Sequence, residues 1–383
     1  MGWADFSSIS SHPNVEIVAI CDIDTARAKK VQELVPHAKF YQDWRELLEK
    51  EAIDSVNVST PDHMHAAITM TALEKGCHVY CQKPLTHDIY EARMIGAKAA
   101  ETGLVTQMGT QLTSMTAERI AVEWIKSETI GKIREVYLWS NKPALQYRPM
   151  GPRPENADPV PAHVDWDAWL GTAPERPYVK GVYHPTWWRG WQDFGCGWLG
   201  DMGCHIMDMP FRSLGLSMPI SVKADVEPEW IANPKRRVET FPQWQIVEYL
   251  YPGTDLTTDD TVKLTWSDGG KYPPDELRKH IDGGEWPTQG SSDDWRTRRD
   301  AEGSSRRTAP FPSRKICSNE ATQICPSRSL RPVYRCHPRQ RWRQNPFTVP
   351  LRGTVHRDGL NGHHCPPFSR TKTELGRGPY ALH

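Results

Sequence analysis

Residues 54–85 read DSVNVSTPDHMHAAITMTALEKGCHVYCQKPL, and this stretch decides the fold. DSVNVST has the length and apolar content of a buried strand. PDHMHAAITMTALEKG is a helix that Pro61 opens and Gly76 ends. CHVYC is a second strand. A strand, a helix of this length and a strand make a right-handed βαβ unit with parallel strands. Working outward, the pattern repeats. VEIVAIC (15–21) is a strand and DTARAKKVQELV (24–35) a helix. THDIYEARMIGAKAAETG (86–103) is a helix with a Thr cap and a stop at Gly103, and VTQMG (105–109) is another strand. The expectation is a doubly wound, Rossmann-like parallel sheet over residues 1–125. Ligands bind such sheets at the carboxyl ends of their strands.

The pattern changes further along the chain. IREVYLWSN (133–141), ISVKADVEP (220–228), WQIVEYLYP (244–252) and DTVKLTWSDG (260–269) alternate apolar and polar residues, as half-buried antiparallel strands do. Residues 143–196 are rich in Pro, Trp and Gly and read as long loops. Residues 126–291 are therefore expected to form an α+β domain with a mostly antiparallel sheet. From residue 292 the periodicity stops. Residues 293–383 hold 16 Arg and 2 Lys against 7 acidic residues, a net +11, so the first 292 residues carry −11 beneath a formal total of zero. Residues 292–383 are expected to be a basic tail, and three readings stand side by side. One is a disordered segment, one is an arm for nucleic acid, and the third is a one-base frameshift near residue 293. The frameshift is the reading carried forward, and no nucleic-acid partner is expected. Cys317, Cys325, Cys336, His337, His363, His364 and Cys365 match no zinc-finger spacing, and no metal is expected. No apolar run reaches 18 residues, so no membrane partner is expected.

Several residues fall at the predicted ligand edge. Asp22 follows a strand and is placed to accept hydrogen bonds from an adenosine ribose. Its charge would repel a 2′-phosphate, favouring NAD over NADP. The competing role for Asp22 or Asp24 is to cap the next helix. Counting back about 20 residues from Asp22 reaches Gly2. The chain is thus expected to begin inside a glycine-rich phosphate loop, with the first strand absent, and an export signal could then lie upstream. Localisation is unreadable beyond cytoplasmic as written. Ser59, Thr60 and Pro61 place hydroxyls and backbone groups at a helix N-terminus. Lys83, held extended by Pro84, puts a cation on the same edge. GWLGDMGCHIMDMP (197–210) carries Asp201, His205 and Asp208 on one face of a predicted helix. Such a stripe is either a satisfied buried network or an acid–base site. Trp187, Trp188, Trp191 and Trp198 offer flat faces for sugar rings, and Tyr183, His184, Arg189 and Asp193 offer polar partners; all can equally be core.

Taken together, QKP after an apolar strand, TP with His65 four residues after the Pro, and GDMGCHIMD resemble the Gfo/Idh/MocA oxidoreductases, the relatives of glucose–fructose oxidoreductase and inositol dehydrogenase. The resemblance runs from about residue 2 to about residue 290. It implies that Lys83 contacts substrate and nicotinamide, and that Asp201 and His205 are the acid and the catalytic His. It adds His65, Gln82, Gln111, Trp188 and Arg189 to the cofactor-contact set. Gln82 departs from the family's Glu, so Lys83 is expected to lack a close anionic partner. The activity implied is NAD-dependent oxidation of a CH–OH group in a sugar, sugar acid or cyclitol, with His205 as acid/base. The alternatives are a glycoside-processing enzyme of the same fold that recycles its NAD, and an inactive truncated relative. A homo-oligomer is expected by the same resemblance.

Overall fold

The computed structural model describes residues 2–141, 151–281 and 284–295. Its first half runs α1 (Gly2–Ser10), β1 (Ala19–Cys21), α2 (Thr25–Leu34), β2 (Lys39–Tyr41), α3 (Trp44–Lys50), β3 (Ser55–Val58), α4 (Asp62–Glu74), β4 (His78–Cys81), α5 (Ile89–Thr102) and β5 (Thr106–Met108). All pairings are parallel and fall into two blocks, β1–β2 and β3–β4–β5. Among the described residues no strand is hydrogen-bonded between β1 and β3. The βαβ unit of residues 54–85 is β3–α4–β4. Helix α4 sinks Met64, Ile68, Ala72 and Leu73 into a core shared with Val58, Val79 and Cys81. Its first turn is also buried, although it is polar: Asp62, His63 and His65 are each no more than 3% exposed.

The second half contains α6 (Thr116–Lys126), β6 (Ile133–Ser140), α7 (Trp166–Leu170), α8 (Gly197–Ile206), α9 (Asp208–Leu214), β7 (Ser221–Val226), α10 (Pro228–Ala232), α11 (Pro234–Glu239), β8 (Gln245–Pro252), β9 (Thr261–Asp268) and β10 (Gln289–Trp295). Single 3₁₀ turns stand at Gln111–Ser114, Trp187–Gly190 and Asp275–His280. The sheet order is β10-β6-β9-β8-β7. Helices α6, α8 and α9 supply Val122, Ile125, Trp198, Met202, Ile206 and Met209 to a core with Leu138, Val247, Leu264 and Trp266 of the sheet.

The structure bears out the sheet and corrects other details. The second sheet is mostly antiparallel, as expected: β10–β6, β9–β8 and β8–β7 are antiparallel, and β6 with β9 is its one parallel pair among the described residues, Leu138 facing Trp266. Strand β9 is buried on both faces rather than one, since it is central: Thr265 and Ser267 of its polar face are buried, and Asp268, on the face of Leu264 and Trp266, accepts from Trp266 Nε1 and Gln245 Nε2. The single helix expected over 197–210 is two, broken at Met207. Pro210 has no N–H to give and its ring crowds the carbonyl four residues back, which interrupts the ladder there. The cap of α5 is Asp88, not Thr86, closed reciprocally with Glu91. Strand β10 also continues through residues 292–295, past the expected domain end at 291. The rest of the predicted tail, 296–383, with its frameshift and zinc readings, lies outside the described residues.

A candidate active site where two distant motifs meet

Two segments 118 residues apart in sequence come together at the carboxyl end of the parallel sheet. The turn after β4 delivers Lys83, whose Nζ donates to the backbone oxygen of Asp201 at 2.7 Å and pairs with its Oδ1. Both side chains are nearly buried, 8% and 14% exposed. Arg189 Nε lies 3.6 Å from the same Oδ1, and its guanidinium stacks over the Trp188 ring at 4.2 Å. Asp201 therefore carries two cations, and the expectation that Lys83 lacks an anionic partner is wrong. The Gln at position 82 is not the reason for it, because the anion comes from α8. His205 stands one turn after Asp201, on the same face of α8, and is 8% exposed. Asp208, beyond the helix break, accepts from Arg212 Nε at 2.7 Å and from Thr113 Oγ1 at 3.0 Å, which makes it a brace.

A carboxylate that the sequence motifs do not single out completes the charge cluster. Asp62 opens α4, is 3% exposed, and accepts from the Cys196 amide at 3.1 Å. Burial pushes its carboxyl up to about 7 and the Asp201 charge adds to this, while Lys83 and Arg189 pull the other way. The signal for it was present, as the acidic residue after Thr60-Pro61 at a helix start.

Other candidates divide. Ser59 donates to Asp5 Oδ2 at 2.6 Å, and Gln82 Nε2 lies 2.8 Å from both Asp5 oxygens, so these two are bound to α1. Gly2 opens that helix, and a Cβ placed on it would stand 3.6 Å from Ser59 Cβ. Pro61 is the residue just before α4, in extended conformation. His65 has a different job from contact with a cofactor. It is 1% exposed, with Nδ1 at 2.7 Å from Pro84 O and Nε2 at 2.9 Å from Thr60 O. It clips the Thr-Pro turn to the Lys-Pro turn and so sets where Lys83 starts. Gln111 is exposed, in the 3₁₀ turn beside α8. Asp22 follows β1, accepts from the Asp24 amide at 3.0 Å, and is pushed up by burial. Asp24 is the residue that caps α2, which leaves Asp22 free of that task. Asp24 also meets His184 Nε2 at 3.1 Å.

The tryptophan platform is corrected. Trp191 and Tyr183 are 2% and 1% exposed and pack with Trp169, Leu170 and Phe194, while Trp198 is in the core under the mixed sheet. Trp188 is also buried, and Asp193 pairs with Arg176. The rings are covered by neighbouring side chains instead: Tyr183 and Trp191 meet edge to face at 5.0 Å, Trp188 carries the Arg189 guanidinium, and Trp198 packs among aliphatic core residues.

Three buried polar atoms on this edge have no hydrogen-bond partner among the described residues: Gln82 Oε1, Thr60 Oγ1 and Thr110 Oγ1. Unpaired buried polar atoms are rare and costly, and grouped at the ligand edge of a Rossmann sheet they fit a ligand rich in hydroxyl and amide groups.

Two family models and several known proteins match the chain. Residues 4–110 match the Gfo/Idh/MocA model described as an oxidoreductase family, NAD-binding Rossmann fold. Residues 142–260 match the model of the family's C-terminal alpha/beta domain. A scyllo-inositol 2-dehydrogenase (NAD(+)) of Bacillus subtilis is 32% identical over 101 residues, 26% of this chain and 30% of that protein. A levoglucosan dehydrogenase of Pseudarthrobacter phenanthrenivorans is 26% identical over 171 residues, 44% of this chain and 34% of its own length. The chain thus spans about a third of the length of these curated relatives. In fold it is similar to the WlbA dehydrogenase of Chromobacterium violaceum, solved with NADH and UDP-GlcNAcA, at 16% identity and a TM-score of 0.51, over 72% of this chain and 66% of that one.

Proposed function

From a chain that belongs to the Gfo/Idh/MocA oxidoreductase family, we infer an NAD-dependent oxidoreductase that oxidises a CH–OH group of a sugar, sugar acid or cyclitol. The observation that carries this reading is the union of Lys83 with Asp201 across the cleft, one helical turn from His205. Inositol and sugar dehydrogenases among the relatives support the substrate class. Asp22, Ser59, Thr60, Gln82 and Thr110 are the residues that would hold the nucleotide, and the Asp22 carboxylate favours NAD over its 2′-phosphorylated form.

Bound NAD supplies the acceptor for the hydride that leaves the carbinol carbon. The chain's own work is done at oxygen. His205 accepts the hydroxyl proton, a task suited to an imidazole nitrogen within reach of the substrate. Lys83 places a fixed ammonium where negative charge builds on that oxygen as the proton departs. Asp201 holds Lys83 in place and shares its charge with Arg189, so the cation does not swing into solvent. Near-burial of the pair keeps its field strong.

The test is NADH formation by the 383-residue protein with a panel of cyclitols, aldoses and sugar acids. Steady NADH accumulation with at least one class is expected, and a His205→Ala change should reduce kcat by roughly 10²–10⁴-fold. Exchange with solvent deuterium of the hydrogen on the carbon next to the carbinol, which a transient ketone would acidify, without net NADH, would favour the glycoside-processing alternative. Full activity in the His205→Ala protein would remove His205 from the mechanism.

A further inference from the structure

We propose that Asp5 of α1 is a positioning residue that supplies the carboxylate position 82 lacks, and that it fixes Gln82 Oε1 as the acceptor for an amide or hydroxyl donor of the bound nicotinamide nucleotide. The proposal rests on the cofactor assignment above. Asp5 and Gln82 are 7% and 2% exposed, so neither is solvated. Gln82 Nε2 lies 2.8 Å from each Asp5 oxygen, and the Ser59 hydroxyl donates to the same carboxylate at 2.6 Å. A carboxylate can face only the NH₂ end of an amide, so the orientation of the Gln82 group is forced. Its Oε1 is then turned the other way, buried and unpartnered among the described residues. Gly109 keeps the space for this arrangement. A Cβ there would stand 2.9 Å from Gln82 Cδ and Nε2 and from the Tyr80 hydroxyl.

The residue types at 5 and 82 are therefore coupled. A Glu at 82 would set two buried carboxylates against each other at hydrogen-bond distance. With Asp5 present, Gln is the residue that preserves both the contact and an acceptor turned away from Asp5. Exchanging the two groups keeps both as well: in the D5N/Q82E protein the amide stands on α1, the carboxylate stands at 82, and position 82 still presents an acceptor oxygen.

The experiment is a double-mutant cycle on the full 383-residue protein with D5N, Q82E and D5N/Q82E, reading NADH binding by equilibrium fluorescence and nucleotide-free thermal unfolding. Q82E alone should weaken NADH binding by about tenfold or more and lower the Tm. The double variant should recover NADH affinity to within about threefold of wild type, along with most of the Tm. A double variant no better than Q82E overturns the proposal, as does a D5N protein that binds NADH as tightly as wild type. If wild type binds no NADH, the cofactor reading itself has failed. Recovery of Tm without nucleotide binding in any variant would leave Asp5 a structural residue and overturn its role toward the nucleotide.

Discussion

Asp62 is where a single residue's chemistry reaches furthest beyond its position. Its carboxyl is buried with the Cys196 amide as donor, next to the Asp201 charge, and is pushed up to about 7. In the unfolded chain it titrates in the ordinary carboxylate range, near 4. The folded protein therefore holds a proton there that the unfolded chain releases, and stability from this group declines as pH rises from about 4 through about 7. Above that the penalty is complete and flat. Asp62→Asn retains an acceptor for the Cys196 amide and carries no charge to desolvate. It should be more stable than wild type at pH 8, by at most about 4 kcal/mol, with the difference fading towards pH 4. Urea midpoints across that range measure this, and a gap that widened on acidification would reverse the sign and refute it. Lys83, Asp201 and Asp22 were legible from sequence because each sits at a fixed offset from a strand end or on a helix face. Asp5 was not legible, because its partner Gln82 is 77 residues away and nothing local marks it.

Elements were legible in proportion to the length of their periodic runs. Helices α2, α4 and α5 and strands β3 and β4 each carry a run long enough to show a period, and they stand where the pattern puts them. Strand β2 lies in no longer apolar run and α3 has only seven residues, so neither period registers there, whereas β1 and β5, also of three residues, sit within the longer stretches VEIVAIC and VTQMG. The parallel pairing of β6 with β9 was hidden for another reason: alternation reports which face is buried, not which neighbour a strand takes or in which direction. Caps are a finer case. Thr86 and Asp88 are both good capping types two residues apart, and only geometry chooses between them. Asp88 Oδ1 accepts from the Glu91 amide at 2.8 Å, while Glu91 Oε2 accepts from the amides of His87 and Asp88. Asp88→Ala should cost about 1 kcal/mol of stability, whereas Thr86→Val should cost distinctly less. Chemical unfolding of the two variants side by side decides between the caps, and the opposite ranking would return the cap to Thr86.

At the scale of the whole molecule, the tryptophan-rich stretch joins the two halves rather than presenting a surface. Trp169, Tyr183, Trp191 and Phe194 pack around Ile23, beside the end of β1. The Asp165 amide donates to Ile23 O at 2.9 Å, and His63 of α4 reaches Phe194 O at 3.3 Å and Trp169 O at 3.2 Å. Whatever holds this cluster also holds Arg189 and α8 against the Rossmann edge that bears Lys83. Arg176 is the polar pin within it, with its side chain 1% exposed, paired to Asp193 and lying over the Phe194 ring at 4.5 Å. The two partners are not equivalent, since Asp193 is 28% exposed. Removing the carboxylate strands a buried guanidinium, whereas removing the arginine leaves a carboxylate that water can reach. Asp193→Asn should therefore cost about 3 kcal/mol or more, and Arg176→Met about half as much, through lost packing over Phe194. The double variant should fall near Arg176→Met rather than at the sum, because no charge is then left stranded. Urea unfolding gives the three values, and tryptophan emission should shift to the red most in Asp193→Asn as the cluster loosens. If Arg176→Met proved the more damaging single change, the aromatic contact rather than the buried charge would be what fastens the two halves around the cleft.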